Sequence, residues 1–330
     1  AGPREVARVG AVVRSPALAD RLTATGDGQE TMVYGPELQR AVTRFQSRHG
    51  LETDGVLGPD TLTALNVPVG ERLRQIAVNL ERWRWLPTDR PEGLHLMVNL
   101  PGFTLRALRG QREILSMKVI VGRPDWKTPV FRDVVETIVF NPDWNVPGSI
   151  AADEVIPSIL ADLGYLETEG MIVVRGYGEN EEEIDPATVD WETLDPEASE
   201  IRIKQLPGPR NPLGRIKFLF PNDHSIYLHD TPGDHLFQRD VRTFSHGCVR
   251  VERPLLLAEL LLRGDPHWDL EAIRRAVASG RRQQVPVPGE VPVELLYWTA
   301  VAGDDGAVSF YPDIYGFDAD SFEAKTTPKN

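Results

Sequence analysis

The stretch HDTPGDHLFQRDVRTFSHGCVR, residues 229–250, decides the fold and the chemistry expected of this 330-residue chain. It holds the only cysteine of the sequence, Cys248, and three histidines, His229, His235 and His246. One cysteine cannot form an internal disulfide, and a lone thiol is most often a small buried apolar group. Here a Ser-His-Gly run precedes the cysteine and an arginine follows it closely, which is unusual for a structural thiol. The stretch therefore predicts a reactive cysteine.

A cysteine attacks carbonyl groups as thiolate, and only a small share of a thiol with a pKa of about 8.5 is ionised at neutral pH. An imidazole of near-neutral pKa would take the proton. His246 lies two positions before Cys248 and would normally point away from it, whereas His229 ends a predicted strand and can face Cys248 across a sheet. Gly247 permits unusual backbone angles. The amides of Gly247 and Cys248 are then expected to face a carbonyl oxygen, each contributing up to ~3–4 kcal/mol.

Composition excludes some classes of function. The net charge of −13 leaves no broad basic field for nucleic acid or anionic lipid. Apolar residues make up 41% and charged residues 26%, as in globular domains, and no apolar run is long enough for a membrane span. The first residues contain no signal-peptide core and no initiator Met. We interpret the sequence as a processed or shortened chain, so a missing export signal says little about location.

The N-terminal part is predicted to be helical, with one helix over residues 7–23 and two more around the stretch AVTRFQSRHGLETDGVLGPDTLTALN, residues 41–66. Val42 and Phe45 recur at helical spacing, and Pro36 and Pro59 suit first helical turns. The Phe-Gln pair followed by Asp-Gly-x-x-Gly-x-x-Thr resembles peptidoglycan-binding domains of the three-helix type. A generic helical linker domain is the alternative.

A further amphipathic helix is predicted over residues 70–85, with an apolar stripe of Leu73, Ile76, Ala77, Leu80 and Trp83. Its end, RWRW at residues 82–85, is either an aromatic-basic binding patch or, as we favour, a surface that packs the helix onto the next domain. From Leu94 the apolar period changes to two, which predicts a mainly β domain of about 200 residues with inserted helices.

Two insertions interrupt the predicted strands. Residues 149–166 are expected to be helical. Residues 179–200 hold ten acidic side chains and no basic one. A solvated surface loop is the expectation for most of that segment. A lid over the site is the alternative, because long inserted loops in compact domains often cover binding sites.

The motif in the opening stretch has a family counterpart. His229, fifteen further residues and then Ser245-His246-Gly247-Cys248-Val249-Arg250 resemble the signature of the L,D-transpeptidases, the YkuD-type cysteine enzymes of bacterial cell walls. The segments VNLPGF, VIVGRPDWKTPVF, FNPDWNVP, PGPRNPLGRIKFLFPN and IYLHDTP resemble the large YcbB-type branch of that family. The resemblance spans most of residues 75–318. It departs at Val251-Glu252, where the family often has an Asn, and this leaves the role of that position open.

The resemblance implies an α+β chain in which a mainly-β YkuD-type domain, β-sandwich-like with inserted helices and loop, joins a small three-helix domain. The implied organisation is an N-terminal helical remnant of a scaffold region over 1–30, a peptidoglycan-binding-like domain over 31–68, a linker helix over 69–93, a catalytic domain over 94–318 with an acidic insertion and candidate lid at about 165–205, and a tail over 319–330.

The family also implies roles for individual residues. Cys248 would be the nucleophile, and His229 would be the base, held through its other ring nitrogen by the backbone carbonyl of Asp230. The amides of Gly247 and Cys248 would face the oxyanion with help from the hydroxyl of Tyr227.

Four further residues match the substrate side of the family's site. Ser245, His246 and Arg250 would shape the pocket or hold the turn, and Trp144 matches an aromatic residue of the substrate cleft.

The implied reaction forms 3→3 cross-links in peptidoglycan, a step in cell wall biogenesis that maintains cell shape. The thiol would take the acyl group of a tetrapeptide stem, releasing D-Ala, and pass it to a diaminopimelate amine of a neighbouring stem. No metal or organic cofactor is expected, and carbapenem-type β-lactams would acylate the thiol. A periplasmic location follows from this function rather than from a signal in the sequence.

Other functions stay open at this point. A zinc site built from His224, His229, His246 and Cys248 is one, although HExxH and CxxC spacings are absent. A non-catalytic wall-binding protein with an inert thiol is another. The same thioester could also pass to water, as in an L,D-carboxypeptidase, or to a lipoprotein lysine, as in an anchoring transpeptidase.

Overall fold

The structure, a computed structural model, describes residues 21–24, 26–27, 35–87, 91–303 and 305–319, leaving out the side chain of Glu179. The predicted helix over 7–23 lies outside the described residues apart from 21–23, which are helical. The predicted tail over 319–330 lies outside them apart from residue 319. Within the described ranges, no helix is both long enough and apolar enough to cross a membrane.

The N-terminal helical unit contains helix α1, Pro36–Arg48, and helix α2, Pro59–Leu65, each with a proline in its first turn. Gln46 explains the Phe-Gln signature, because it is almost fully buried and its amide ties down the turn between the two helices. Its Nε2 donates to Asp54 Oδ1 at 2.8 Å, and its Oε1 accepts from the amide of Gly55 at 2.8 Å. The core of the unit consists of Leu22, Leu38, Ala41, Val42, Phe45, Leu57 and Leu65.

Helix α3, Val69–Arg84, confirms the predicted helix but not its buried face. Leu73 and Leu80 of the predicted stripe are 61% and 58% exposed. The helix instead docks on the β domain through polar groups: Asn79 Nδ2 donates to Thr299 Oγ1 at 2.8 Å, and Asn79 Oδ1 accepts from the Thr299 amide at 2.9 Å. Paired hydrogen bonds between buried groups select this face, and a hydrophobic pattern cannot reveal them.

The RWRW stretch packs against the β domain, as favoured from the sequence. Trp83 stacks on Trp298 with ring centroids 4.9 Å apart. The guanidinium of Arg82 bonds to Asp318 at 2.6 Å and lies 5.1 Å from the centre of the Tyr297 ring. Hydrogen bonds, ring stacking and a buried ion pair therefore join α3 to the end of the β domain.

The β domain contains the strands of its main sheet, of an insertion and of a C-terminal hairpin. They are β1 Leu94–Asn99, β2 Thr104–Arg109, β3 Arg112–Gly122, β4 Phe131–Phe140, β5 Trp144–Asn145, β6 Met171–Arg175, β7 Glu182–Ile184, β8 Ile201–Gln205, β9 Ile216–Leu219, β10 Leu228–His229, β11 Thr243–Ser245, β12 Val249–Val251, β13 Gln283–Leu296, β14 Ala300–Ala302 and β15 Val308–Phe310.

The main sheet has nine strands in the order β11-β3-β12-β10-β9-β4-β13-β1-β2. Strand β2 also pairs with β3, so the sheet closes on itself around one apolar core. This architecture, together with the helical unit, confirms the α+β fold class.

Residues 143–205, called the insertion below, form one packed unit. It combines the four-stranded sheet β5-β8-β6-β7 with helices α4 Gly148–Ile150, α5 Ile156–Ala161 and α6 Tyr165–Glu169, and with a π-helical segment, Ala151–Val155. Its core contains Val146, Ile150, Ala151, Val155, Ile156, Ile159, Leu166, Met171, Val173, Trp191 and Ile203.

The acidic segment belongs to this unit: most of its residues are exposed, as expected of a solvated surface segment, but it also supplies apolar side chains to the core of the insertion. Trp191 is buried, and its Nε1 donates to the carbonyl of Pro186 at 2.9 Å. Ile184, Val189 and Leu194 also pack against the core of the insertion. These apolar residues are spaced among the acidic ones so that they reach inward while the carboxylates stay outside.

Two other parts complete the β domain. Residues 220–227, between β9 and β10, form a loop in which the side-chain amide of Asn222 donates to the carbonyls of Phe220 and Ile226, and Ser225 has φ +55. After β13, the strands β14 and β15 form a separate hairpin that contacts the helical unit. Helices α7 Pro254–Leu261 and α8 Leu270–Ala278 cover the core.

Candidate active site

The candidate site lies on the face of the sheet that points away from the core. Leu228 on β10 pairs in parallel with Val249 on β12, and both side chains are buried in the core. Because side chains alternate along a strand, the next positions point to the other face. There His229 is flanked by Lys217 on β9 and by Arg250 on β12, its two register partners. The sheet thus aligns one imidazole between two cations.

The turn that carries the cysteine is held by its own hydrogen bonds. Ser245 Oγ donates to the Cys248 carbonyl at 2.5 Å and accepts from the Gly247 amide at 3.2 Å. Thr128 Oγ1 donates to the Gly247 carbonyl at 2.7 Å. Gly247 has φ +114, a region that L side chains rarely adopt, and an added Cβ would meet Ile226 at 3.2 Å. Glycine is therefore required at this position.

The sulfur of Cys248 is partly buried beside Tyr227. Sγ lies 3.7 Å from the carbonyl oxygen of Ser225, and both the backbone amide and the hydroxyl of Tyr227 hydrogen-bond to it. Burial raises the pKa of the thiol, while the Tyr227 bonds and the charges of Lys217 and Arg250 act in the opposite direction. Burial, and next the charge of the sulfur, raise the pKa of the Tyr227 hydroxyl well above its usual value. At neutral pH both groups are protonated.

His229 is buried and neutral. Its Nδ1 donates to the backbone carbonyl of Asp230 at 2.5 Å, so Nε2 carries the lone pair. Burial lowers the pKa of the imidazole to about 3, helped by the charges of Arg250 and Lys217 and opposed by the bond to Asp230. The sequence-based expectation of a near-neutral pKa is wrong, because the sequence did not reveal that the ring is enclosed between two cations.

The carbonyl that orients His229 is itself held in place. The Asp230 carboxylate accepts hydrogen bonds from the amides of Arg215 at 2.8 Å and Thr231 at 2.7 Å, and burial raises its pKa. Gly214 lies against this carboxylate with φ +61, and a Cβ there would come within 2.5 Å of Asp230 Cγ. Sequence reasoning missed Gly214, although a glycine two positions before the run IKFLF, residues 216–220, was a usable signal.

His246 connects the turn to the insertion. Its Nε2 lies 3.0 Å from Glu154 Oε1, on the π-helical segment, and 3.0 Å from Arg123 Nη2, just after β3. Nε2 donates to the first or accepts from the second, depending on the tautomer. Trp126 contacts the same ring edge-on at 5.1 Å. Sequence reasoning missed Glu154 and Arg123, which are distant from the motif along the chain.

Lys217 is the other residue that sequence reasoning missed. Its Nζ lies 3.7 Å from the centre of the Tyr227 ring, and burial lowers its pKa. A lysine inside the otherwise apolar run IKFLF was a usable signal, since charged residues are rarely buried without a partner.

The remaining predicted residues have contacts elsewhere in the molecule. Trp144 packs against the core of the insertion, and His235 is exposed. His224 contacts the ring of Phe131 at 5.1 Å, and His246 is bound as described above. Among the described residues, His, Cys, Asp and Glu side chains form no group of three or more suited to a metal ion, so the four proposed zinc ligands are not assembled.

Two family models match the chain. The model of the L,D-transpeptidase catalytic domain, YkuD, matches residues 93–268. The chain belongs to this family. A second model, described provisionally as a peptidoglycan binding domain, matches residues 17–65. That range includes Leu22, which is buried in the core of the helical unit.

One curated relative is a protein of Haemophilus influenzae, provisionally described as an L,D-transpeptidase. It is 35% identical to this transpeptidase-family chain over 245 residues, which are 74% of this chain and 48% of the relative. The chain thus spans about half the length of the relative.

Solved L,D-transpeptidase structures are similar at low sequence identity. One from Xylanimonas cellulosilytica is 17% identical, covering 90% of this chain and 100% of that one with a TM-score of 0.28. One from Stackebrandtia nassauensis is 14% identical, covering 90% and 97% with a TM-score of 0.31. A third, the L,D-transpeptidase LdtMt1 in complex with imipenem, is 10% identical, covering 62% and 59% with a TM-score of 0.29. Scores this low carry no argument about the site.

Proposed function

We propose that this chain is an L,D-transpeptidase that forms 3→3 peptidoglycan cross-links through a thioester on Cys248. The observation that carries the proposal is the juxtaposition of strands β10 and β12. It sets a neutral imidazole, with its free nitrogen defined by the His229–Asp230 bond, beside the turn that presents the cysteine.

In the acylation step, the sulfur of Cys248 attacks the carbonyl carbon that joins the diamino acid of a tetrapeptide stem to its terminal D-Ala. The C–S bond forms, the C–N bond breaks, and His229 transfers the thiol proton to the departing amine. Since the thiol has a raised pKa and the imidazole a lowered one, the resting pair is neutral. Proton transfer then accompanies the attack instead of preceding it.

Two donors support the proposed oxyanion site. The Tyr227 hydroxyl stays protonated at neutral pH and reaches the sulfur. The amide of Cys248 has no hydrogen-bond acceptor within the described part of the chain. The amide of Gly247, the third expected donor, is bonded to Ser245 Oγ at 3.2 Å, so it would contribute only after leaving that bond. Donors placed in advance at the developing charge lower the barrier most effectively.

In the second step, an amine of a diaminopimelate on a neighbouring stem attacks the thioester. The new C–N bond forms, the C–S bond breaks, and His229 returns the amine proton to the sulfur. A wall-binding helical unit held against the catalytic domain would raise the local concentration of stems. The insertion is a candidate cap over the substrate, supported by the contact between Glu154 and His246, with Trp144 as a candidate cleft residue on its base.

The same chemistry supports acylation of Cys248 by carbapenem-type β-lactams, whose strained carbonyl would replace that of the stem. Because peptidoglycan lies outside the inner membrane, the proposed place of action is the periplasm.

The test is product analysis by mass spectrometry with purified diaminopimelate-containing tetrapeptide muropeptides. We expect a thioester-linked tripeptide on the protein, free D-Ala and 3→3 dimers. Cys248→Ala should yield none of these while keeping its circular dichroism spectrum. Tripeptides without dimers would instead indicate an L,D-carboxypeptidase, and transfer only to an added lipoprotein lysine would indicate an anchoring enzyme. Turnover by Cys248→Ala comparable to the unmodified protein would refute the nucleophile.

A further inference from the structure

Among the residues that the structure describes, no carboxylate forms an ion pair with either of the two cations that flank His229. Lys217 and Arg250 are both partly buried, and within the described ranges neither side chain has a hydrogen-bond or ion-pair partner. Arg250 Nε is sealed from solvent with no acceptor. A buried charge without a partner is unfavourable, and such groups are typical of sites where a ligand supplies the missing charge.

Within the described part of the chain, no anion near these two cations is free to neutralise them. The Cys248 thiol, the Tyr227 hydroxyl and the His229 imidazole are all uncharged at neutral pH. The carboxylate that acts on Lys217 is that of Asp143. It is already paired with Arg282 at 2.6 Å and with Lys204 at 3.6 Å. In a chain of net charge −13, the reactive face is therefore locally positive.

We propose that Lys217 and Arg250 form a carboxylate subsite that binds the terminal carboxylate of the donor stem, that of the D-Ala about to leave. The inference rests on the proposed function. His229 must reach the departing amine to protonate it, and the carboxylate of D-Ala is one carbon away from that amine. Neighbouring strands lie about 4.8 Å apart, so a carboxylate beside His229 is within reach of the cation on either side.

The subsite also gives a reason for the weak base. After burial, the charges of Arg250 and Lys217 both lower the pKa of His229. A bound carboxylate would screen these charges and so make the imidazole a better acceptor for the thiol proton. Lys217 is positioned for this by its contact with the Tyr227 ring, which holds the ammonium near the sulfur.

The experiment compares two donors on the unmodified protein and on two variants. One donor is the tetrapeptide muropeptide with a free terminal carboxylate, and the other ends in D-alaninamide. We expect the unmodified protein to prefer the carboxylate donor by about 10- to 100-fold in kcat/KM, as for hydrogen bonds to a charged group. Lys217→Met should remove most of that preference, with KM rising for the carboxylate donor only. Lys204 is a control lysine whose partners lie on the insertion. Lys204→Met should change kcat/KM by the same factor for both donors.

The outcomes separate the subsite from the proposed function. If the unmodified protein releases neither D-Ala nor D-alaninamide, the proposed function fails. If it turns over both equally, only the subsite is refuted, and this comparison needs no variant to fold. If Lys217→Met lowers kcat/KM by the same factor for both donors, Lys217 does not recognise the terminal carboxylate, and the assignment is overturned. A third donor carries an amide in place of the side-chain carboxylate of diaminopimelate. If Lys217→Met affects discrimination against this donor rather than against the D-alaninamide donor, the assignment is also overturned.

Discussion

Gly214 offers the sharpest test of how the site is positioned, because it touches neither the sulfur nor the imidazole. Gly214→Ala would place a Cβ within 2.5 Å of the Asp230 carboxylate. The carboxylate would have to move, and its bonds to the amides of Arg215 and Thr231 would be lost or stretched. The adjoining carbonyl, which orients His229, would move with it.

The magnitude follows from two contributions. An alanine at φ +61 costs roughly 1–2 kcal/mol, because its Cβ crowds the carbonyl in the left-handed region. Loss of one hydrogen bond to a charged group adds about 1.5–3 kcal/mol. The free energy of unfolding should therefore fall by about 2.5–5 kcal/mol. The acylation rate should fall about 100-fold, the size expected when a reacting group is displaced by about 1 Å.

Gly280 provides the matched control. It has φ +64 and no atom within 4 Å of an added Cβ, so Gly280→Ala carries the backbone cost alone. The assays are urea unfolding and single-turnover acylation by a carbapenem, followed by mass spectrometry. Asp230→Asn is the companion variant, since it weakens the same bonds without a steric clash. The reasoning is refuted if Gly214→Ala is no less stable than Gly280→Ala and acylates at the unmodified rate.

The other predictions concern the titration and the contacts of single residues. Alkylation of Cys248 by iodoacetamide should rise with pH beyond 9 and be slower at pH 7 than that of a free thiol, because burial raises its pKa; a plateau between pH 6 and 8 would contradict the neutral pair. His229→Gln should lower acylation by about 100-fold or more, whereas His235→Gln, at an exposed position, should match the unmodified protein. Glu154→Gln should slow acylation by less than about 5-fold, since a hydrogen bond between partly exposed side chains contributes about 1 kcal/mol; a larger loss would mean that the insertion controls the turn. Burial lowers the pKa of His49 from 6.5 to about 4, so between these pH values the unfolded state binds a proton that the folded state does not. The free energy of unfolding should therefore decrease as the pH falls from 6.5 to 4, by about 1.4 kcal/mol per pH unit from this group. Unfolding curves of His49→Gln should lack this slope.

Local rules were sufficient where the structure depends on neighbours along the chain. The first turns at Pro36 and Pro59 and the period of two from Leu94 each predicted an element that the structure contains. The face on which α3 docks could not be predicted, because buried amide and hydroxyl pairs such as Asn79 with Thr299 outweigh an apolar stripe that remains exposed. The exposed character of the acidic segment was predicted from its charge, but the anchoring of that segment by the buried Trp191 was not.

The residues of the candidate site were likewise predictable only where they are close along the chain. The motif brought Cys248 and His229 into one hypothesis because both lie in one short stretch. Lys217 comes from another strand, and its place beside the base depends on the register between β9 and β10. The pKa of His229 depends on burial and on charges from two neighbouring strands, which no local pattern contains. The ordinary pKa of histidine suggested a near-neutral imidazole, whereas the burial of the His229 ring lowers its pKa.

The proposed base and nucleophile are held by adjacent strands that the chain reaches in separate passes, since β10 ends at His229 and Cys248 directly precedes β12. The segment between them passes through Asp240 and Val241, which are both exposed. A single cut there would divide the reactive pair between two polypeptides, each contributing one strand to the same ladder. Turnover would then require the two pieces to reassemble, so the protein could be engineered as a split reporter whose signal measures complementation.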